Sequence, residues 1–80
     1  MRPQGTQYRY DILRTLLRQY RRKAKFSQAE LARRLSRPQS FVSKYESGER
    51  RLDLIEIAQI CDALGQSLAD FVAAFEEASE

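Results

Sequence analysis

The amino-acid sequence predicts an all-α fold, a compact bundle of about five helices in one domain over residues 1–80. Three observations carry that prediction. The chain is 42% hydrophobic with only three Gly and two Pro, too apolar to stay disordered and too poor in breakers for an all-β arrangement. Apolar residues recur at three- and four-residue spacing in successive stretches. Between the stretches stand N-cap residues, Gly and Pro, which start and stop helices. A chain of this length has room for one economical core.

Residues 1–6 are expected to be flexible, and the first helix runs from about Gln7 to Lys23 with Ile12, Leu13, Leu16, Leu17 and Tyr20 on one face. Arg21, Arg22, Lys23 and Lys25 crowd its C-terminal end, where cations oppose the helix dipole. Ser27-Gln28-Ala29-Glu30 then reads as a capping box opening a short helix that ends near Leu35, with Leu31, Ala32 and Leu35 inward. Pro38 forbids a continuous helix and biases Arg37 to extended backbone, so Ser36 and Arg37 form a tight turn. The third helix spans about Gln39 to Ser47, buries Val42 and Tyr45, and stops at Gly48. Asp53 with Glu56 caps a fourth, whose apolar stripe is Leu54, Ile57, Ala58, Cys61 and Leu64, with Gly65 as its stop. Ser67 with Asp70 opens the last, which carries Leu68, Phe71, Val72 and Phe75 on one face.

Charge is segregated along the chain. Residues 1–51 hold all fourteen Lys and Arg against four acids, a net of +10, and residues 52–80 hold seven acids and no base, a net of −7. The first half suits a polyanion, although single cations also serve simply to solvate helix surfaces. No apolar run is long enough for a membrane span, and no basic stretch leads into an apolar one as in a signal peptide, so a cytoplasmic, nucleoid-associated protein is expected. Cys61 is alone and His is absent, which removes an intramolecular disulfide, a Cys-rich metal site and the commonest general base. With no paired nucleophile and base and no Gly-rich phosphate cradle, the sequence argues against an enzyme, a cofactor, a metal or a small-molecule ligand.

Two short helices joined by a turn of a few residues cross at a large angle and leave the second projecting. An α-helix fits the major groove, where each base pair shows a distinct donor and acceptor pattern. The outer face of the third helix carries Gln39, Ser40, Ser43 and Lys44. Gln pairs bidentately with adenine, Lys donates to guanine O6 and N7, and Ser serves base or phosphate.

These segments resemble the Cro/repressor-type (XRE) helix-turn-helix family over roughly Leu17 to Leu68. The matching residues are Leu17-Arg18 with Arg21, then Phe26-Ser27-Gln28-Ala29-Glu30-Leu31-Ala32, Gln39-Ser40-Phe41-Val42-Ser43-Lys44-Tyr45-Glu46 with Gly48, and Ala63-Leu64-Gly65. The resemblance implies a lambda-repressor-like DNA-binding domain, with its helix-turn-helix at about residues 27–48 and its third helix in the major groove of double-stranded DNA. Gln39, Ser40, Ser43 and Lys44 are then the base readers, with Arg37 close by. Gln28 matches the family residue that holds a phosphate, with Ser27 and Lys25 beside it, and Arg50 and Arg51 lie in a loop that approaches the backbone. Arg21 and Glu46 occupy positions that pair as a buried salt bridge in similar proteins. The chain departs from the family at the turn: Ser36 stands where Gly is common, and Pro38 where Ser or Thr often caps the recognition helix.

Other residues have two readings. Cys61 lies on an apolar stripe and reads as a small core side chain rather than a redox sensor. Phe41 suits either thymine methyls or packing at the helix edge. Phe71 and Phe75 either finish the monomer core or form the apolar patch of a twofold homodimer, and the dimer is the expectation. The function expected is a sequence-specific transcriptional regulator, a repressor on a palindromic operator. The alternative is an antitoxin-like or phage-type module whose acidic C-terminal half holds a protein partner while DNA binding serves autoregulation.

Overall fold

In the computed structural model, which describes residues 5–80, α1 spans Thr6–Lys23, α2 Gln28–Arg34, α3 Gln39–Ser47, α4 Leu54–Ala63 and α5 Leu68–Ala78. No strand occurs among the described residues. Of the leading segment expected to be flexible, residues 1–4 lie outside the described residues. Gly5 is the N-cap of α1 and Thr6 is already helical, so the helix begins slightly earlier than its apolar face does. Among the described residues, no helix is long and apolar enough to cross a membrane.

Local sequence accounts for the starts. The Ser27, Asp53 and Ser67 side chains each accept a hydrogen bond from the backbone N–H three residues on, satisfying donors that a helix N-terminus leaves free. Only Asp53–Glu56 closes as a reciprocal capping box. At Ser27 the serine half forms, whereas the Glu30 carboxylate lies 3.9 Å from Arg33 Nη2, so the box read from Ser27 and Glu30 is half a box. A half-exposed carboxylate one turn from an arginine has that competing partner.

The stops of α1 to α4 share one geometry. A residue in left-handed backbone follows the helix, its N–H bonding two residues into the last turn and the next N–H three residues in. At α2 these bonds are Ser36 N–H to Arg33 O, 3.0 Å, and Arg37 N–H to Ala32 O, 2.9 Å. Glycine takes the left-handed place after α3 and α4, Gly48 at φ +91° and Gly65 at +71°. Lys25 at +65° and Ser36 at +56° take it after α1 and α2. An L side chain in that region costs about 1–2 kcal/mol, so both short connections on the basic side of the molecule carry strain.

Packing centres on α1: α3 lies against α2 and α1, and α5 against α4 and α1. Leu17, Leu31, Ala32, Phe41, Val42, Tyr45, Ile60, Cys61, Leu64 and Phe71 form the core. Two expectations are corrected here. Leu54, placed on the apolar stripe of the fourth helix, is 62% exposed, and Ile60 is fully buried in its stead. The first turn of α4 is apolar on more than one face, and only its later residues reach the core. Phe71, expected as a dimer contact, is 2% exposed and meets Tyr20 edge-on with ring centroids 5.6 Å apart. It belongs to the chain's own core. Phe75 is half-buried beneath the Arg9 guanidinium, which lies 4.9 Å from its ring centroid. Cys61 is fully buried, which pushes its thiol pKa up and fits a packing role.

Candidate nucleic-acid interface

The third helix has two clean faces. Phe41, Val42, Tyr45 and Glu46 are buried, while Gln39, Ser40 and Lys44 are exposed and Ser43 is half-exposed between them. That spacing puts four polar side chains in one outward row, held by a helix whose opposite face is locked into the core. Phe41, left open between base contact and packing, is 7% exposed and packs edge-on against Tyr45 at 5.5 Å.

What holds this helix on its inner side is a buried ion pair. Arg21 on α1 grips Glu46 with two prongs, Nε to Oε2 at 2.7 Å and Nη2 to Oε1 at 3.0 Å. Its third arm, Nη1, donates to Phe26 O at 2.7 Å in the link to α2. Gln28 Nε2 donates to Glu46 Oε1 at 3.0 Å. Two charges with side chains only 10% and 4% exposed are tolerable because nearly every lone pair and proton is matched. Gln28, expected to hold a phosphate, is half-buried, and its amide knits α2 to the pair.

Towards α4 a second cluster surrounds Phe41. The Arg37 guanidinium lies 4.2 Å and that of Arg50 4.9 Å from the ring centroid. Both pair with Glu56: Arg50 Nη1 and Nη2 donate to its two oxygens at 3.0 and 2.9 Å, and Arg37 Nη2 to Oε2 at 3.3 Å. Hydrogen bonds from Arg50 first, then from the Asp53 backbone, hold the Glu56 carboxyl at about 2, below its ordinary 4.5. Arg37 was expected among the base readers. Its guanidinium rests on Phe41 and Glu56, because an aromatic ring and a carboxylate lie within its reach.

The other expected phosphate contacts stand at the surface. Lys25 is exposed beside α2, Ser27 is exposed at its cap, and Arg51 is exposed with its guanidinium 4.1 Å from the Tyr10 ring centroid. Sequence reasoning missed Arg14, whose Nη1 donates to Glu46 O at 3.0 Å and so caps the end of α3. It also missed Glu56 as anything beyond a cap partner. Arg14 lies 32 residues from its acceptor and Arg37 19 from Glu56, separations that no local pattern spans. The Tyr45 hydroxyl is buried without a hydrogen-bond partner, and burial pushes its pKa up. Among the described residues no cluster of carboxylates and thiol is arranged to hold a metal ion.

A family model described as "Helix-turn-helix domain" matches residues 12–74. No curated protein matches the chain. Among solved structures, the chain is 44% identical to an XRE-family like protein from Pseudomonas syringae pv. tomato strain DC3000, with a TM-score of 0.84 over 90% of this chain and 88% of that one. It is 25% identical to the clp gene regulator ClgR from Corynebacterium glutamicum in two structures. One has a TM-score of 0.78 over 90% of this chain and 92% of that chain, the other 0.79 over 89% and 76%. With its outward polar row, its ion-paired scaffold and these likenesses, the chain belongs to the XRE-type helix-turn-helix family of DNA-binding regulators.

Proposed function

We propose that the protein is a transcriptional repressor that occupies a palindromic operator as a homodimer. Gln39, Ser40, Ser43 and Lys44 read base edges in the major groove, and Ser27, Lys25 and Arg51 hold flanking phosphates with Arg50 near them. The observation that carries this reading is the division of α3 into a core-locked face and an outward polar row. The net +10 of residues 1–51 supplies the attraction to phosphates. A relative described as a gene regulator supports the regulatory role.

The twofold contact is assigned to Leu54 and Ile55, 62% and 66% exposed at the start of α4. An isologous contact brings each surface against its own copy. Close to Leu54 and Ile55 in the chain stand Arg50, Arg51 and Asp53, a mixture of charges that can pair with itself. Half-sites would then lie about one helical turn, roughly 34 Å, apart. Selection of bound duplexes from a random pool tests the reading. It predicts an enriched inverted repeat whose preference relaxes in Gln39→Ala and Lys44→Ala; a pool that never departs from random would refute it.

A further inference from the structure

The recognition helix begins without a side-chain cap, because Pro38 occupies the N-cap and offers no acceptor. It also shares little backbone proximity with α4, the next element in the chain. Its packing is against α2 and α1, so the side that faces α4 is left to other contacts, and the cluster around Phe41 supplies them. Glu56 is held on α4 by its own capping box, Asp53 N–H to Oε1 at 3.0 Å, and its side chain is 12% exposed. From there it grips one arginine that precedes α3 and another that follows it, each lying over the ring of an α3 residue. If either cation served phosphate attraction alone, a carboxylate that cancels its charge would weaken it. The use of the pairing is therefore geometric.

Resting on the DNA-reading role of α3, we propose that Glu56 is a positioning residue for sequence recognition: it brackets the recognition helix through Arg37 and Arg50 and sets where Gln39 to Lys44 point. Arg37 and Arg50 act in this arrangement through Phe41, both guanidinium groups lying over its ring while Glu56 anchors them to α4.

The test compares affinity for the selected operator with affinity for random duplex, alongside melting temperature. Glu56→Gln keeps the cap, since Gln also serves at that capping-box position, but loses the charge that fastens both arginines. Its operator-to-random ratio falls about tenfold, the discrimination that one well-aimed base contact supplies, while binding to random duplex holds or strengthens. Arg50→Lys keeps the charge and loses the two-pronged grip, and its ratio falls in the same direction; it carries the test if Glu56→Gln does not fold. Unchanged ratios in the folded variants, or equal weakening on both DNAs, would overturn the proposal while leaving the regulator reading intact. A wild-type protein with no operator preference would overturn both.

Discussion

Replacing Arg21 by Ala removes three hydrogen bonds at once, two to the Glu46 carboxylate and one to Phe26 O, and leaves Glu46 with only Gln28 beside a side chain that is 4% exposed. Stranding one partner of a buried pair costs about 3–5 kcal/mol. For 80 residues at about 0.05–0.15 kcal/mol each, total stability is about 4–12 kcal/mol, so the loss is a large share of it. At about 4–8 °C per kcal/mol for a domain of this size, the melting temperature should fall by at least about 12 °C. The assay is thermal unfolding followed by circular dichroism, with operator preference measured at a temperature where the variant is folded. A double replacement, Arg21→Met with Glu46→Leu, strands no charge and should recover most of the loss. The reasoning is refuted if Arg21→Ala melts like the wild type yet prefers a different DNA sequence, for the pair would then be a reading element and not scaffold.

Other outcomes follow from the same structure. Ser36→Gly and Lys25→Gly relieve left-handed strain of about 1–2 kcal/mol, partly offset by glycine's backbone entropy of about 0.5–1 kcal/mol, so each should raise stability by up to about 1.5 kcal/mol in denaturant titrations. Tyr45→Phe removes a buried hydroxyl with no partner and should leave the melting temperature unchanged or higher, where a satisfied hydroxyl would make it fall. Glu56, held at about 2 against 4.5, contributes stability that is present above about pH 4.5 and is lost as pH falls towards 2. The melting-temperature difference between wild type and Glu56→Gln should therefore shrink through that window. Ile55→Asp should leave binding to an isolated half-site intact and abolish cooperative filling of the two, measured by gel shift on duplexes with one or both half-sites.

Much of this was legible in the chain because the signals are local. Ser27, Asp53 and Ser67 cap within three residues, Gly48 and Gly65 stop helices within two, and the alternation along Gln39 to Glu46 separates the outward row from the core on its own. Legibility fails where a competing partner lies far away in sequence. Leu54 and Ile60 fit apolar stripes of α4 equally well until the neighbouring helices choose between them. Lys25 carries no mark of its positive φ, since the geometry is imposed by the two hydrogen bonds that close α1. Gln28 and Arg37 have the chemistry for DNA contact, and buried or half-buried acceptors, Glu46 and Glu56, claim them first.

The central claim is that the outer row of α3 meets the DNA. Titrating the isotope-labelled protein with its selected duplex and mapping amide and side-chain shifts by NMR tests it most directly. The account predicts the largest changes at Gln39, Ser40, Ser43 and Lys44, with smaller ones at Lys25, Ser27 and Arg51. Changes concentrated on α5, with the α3 row undisturbed, would contradict it.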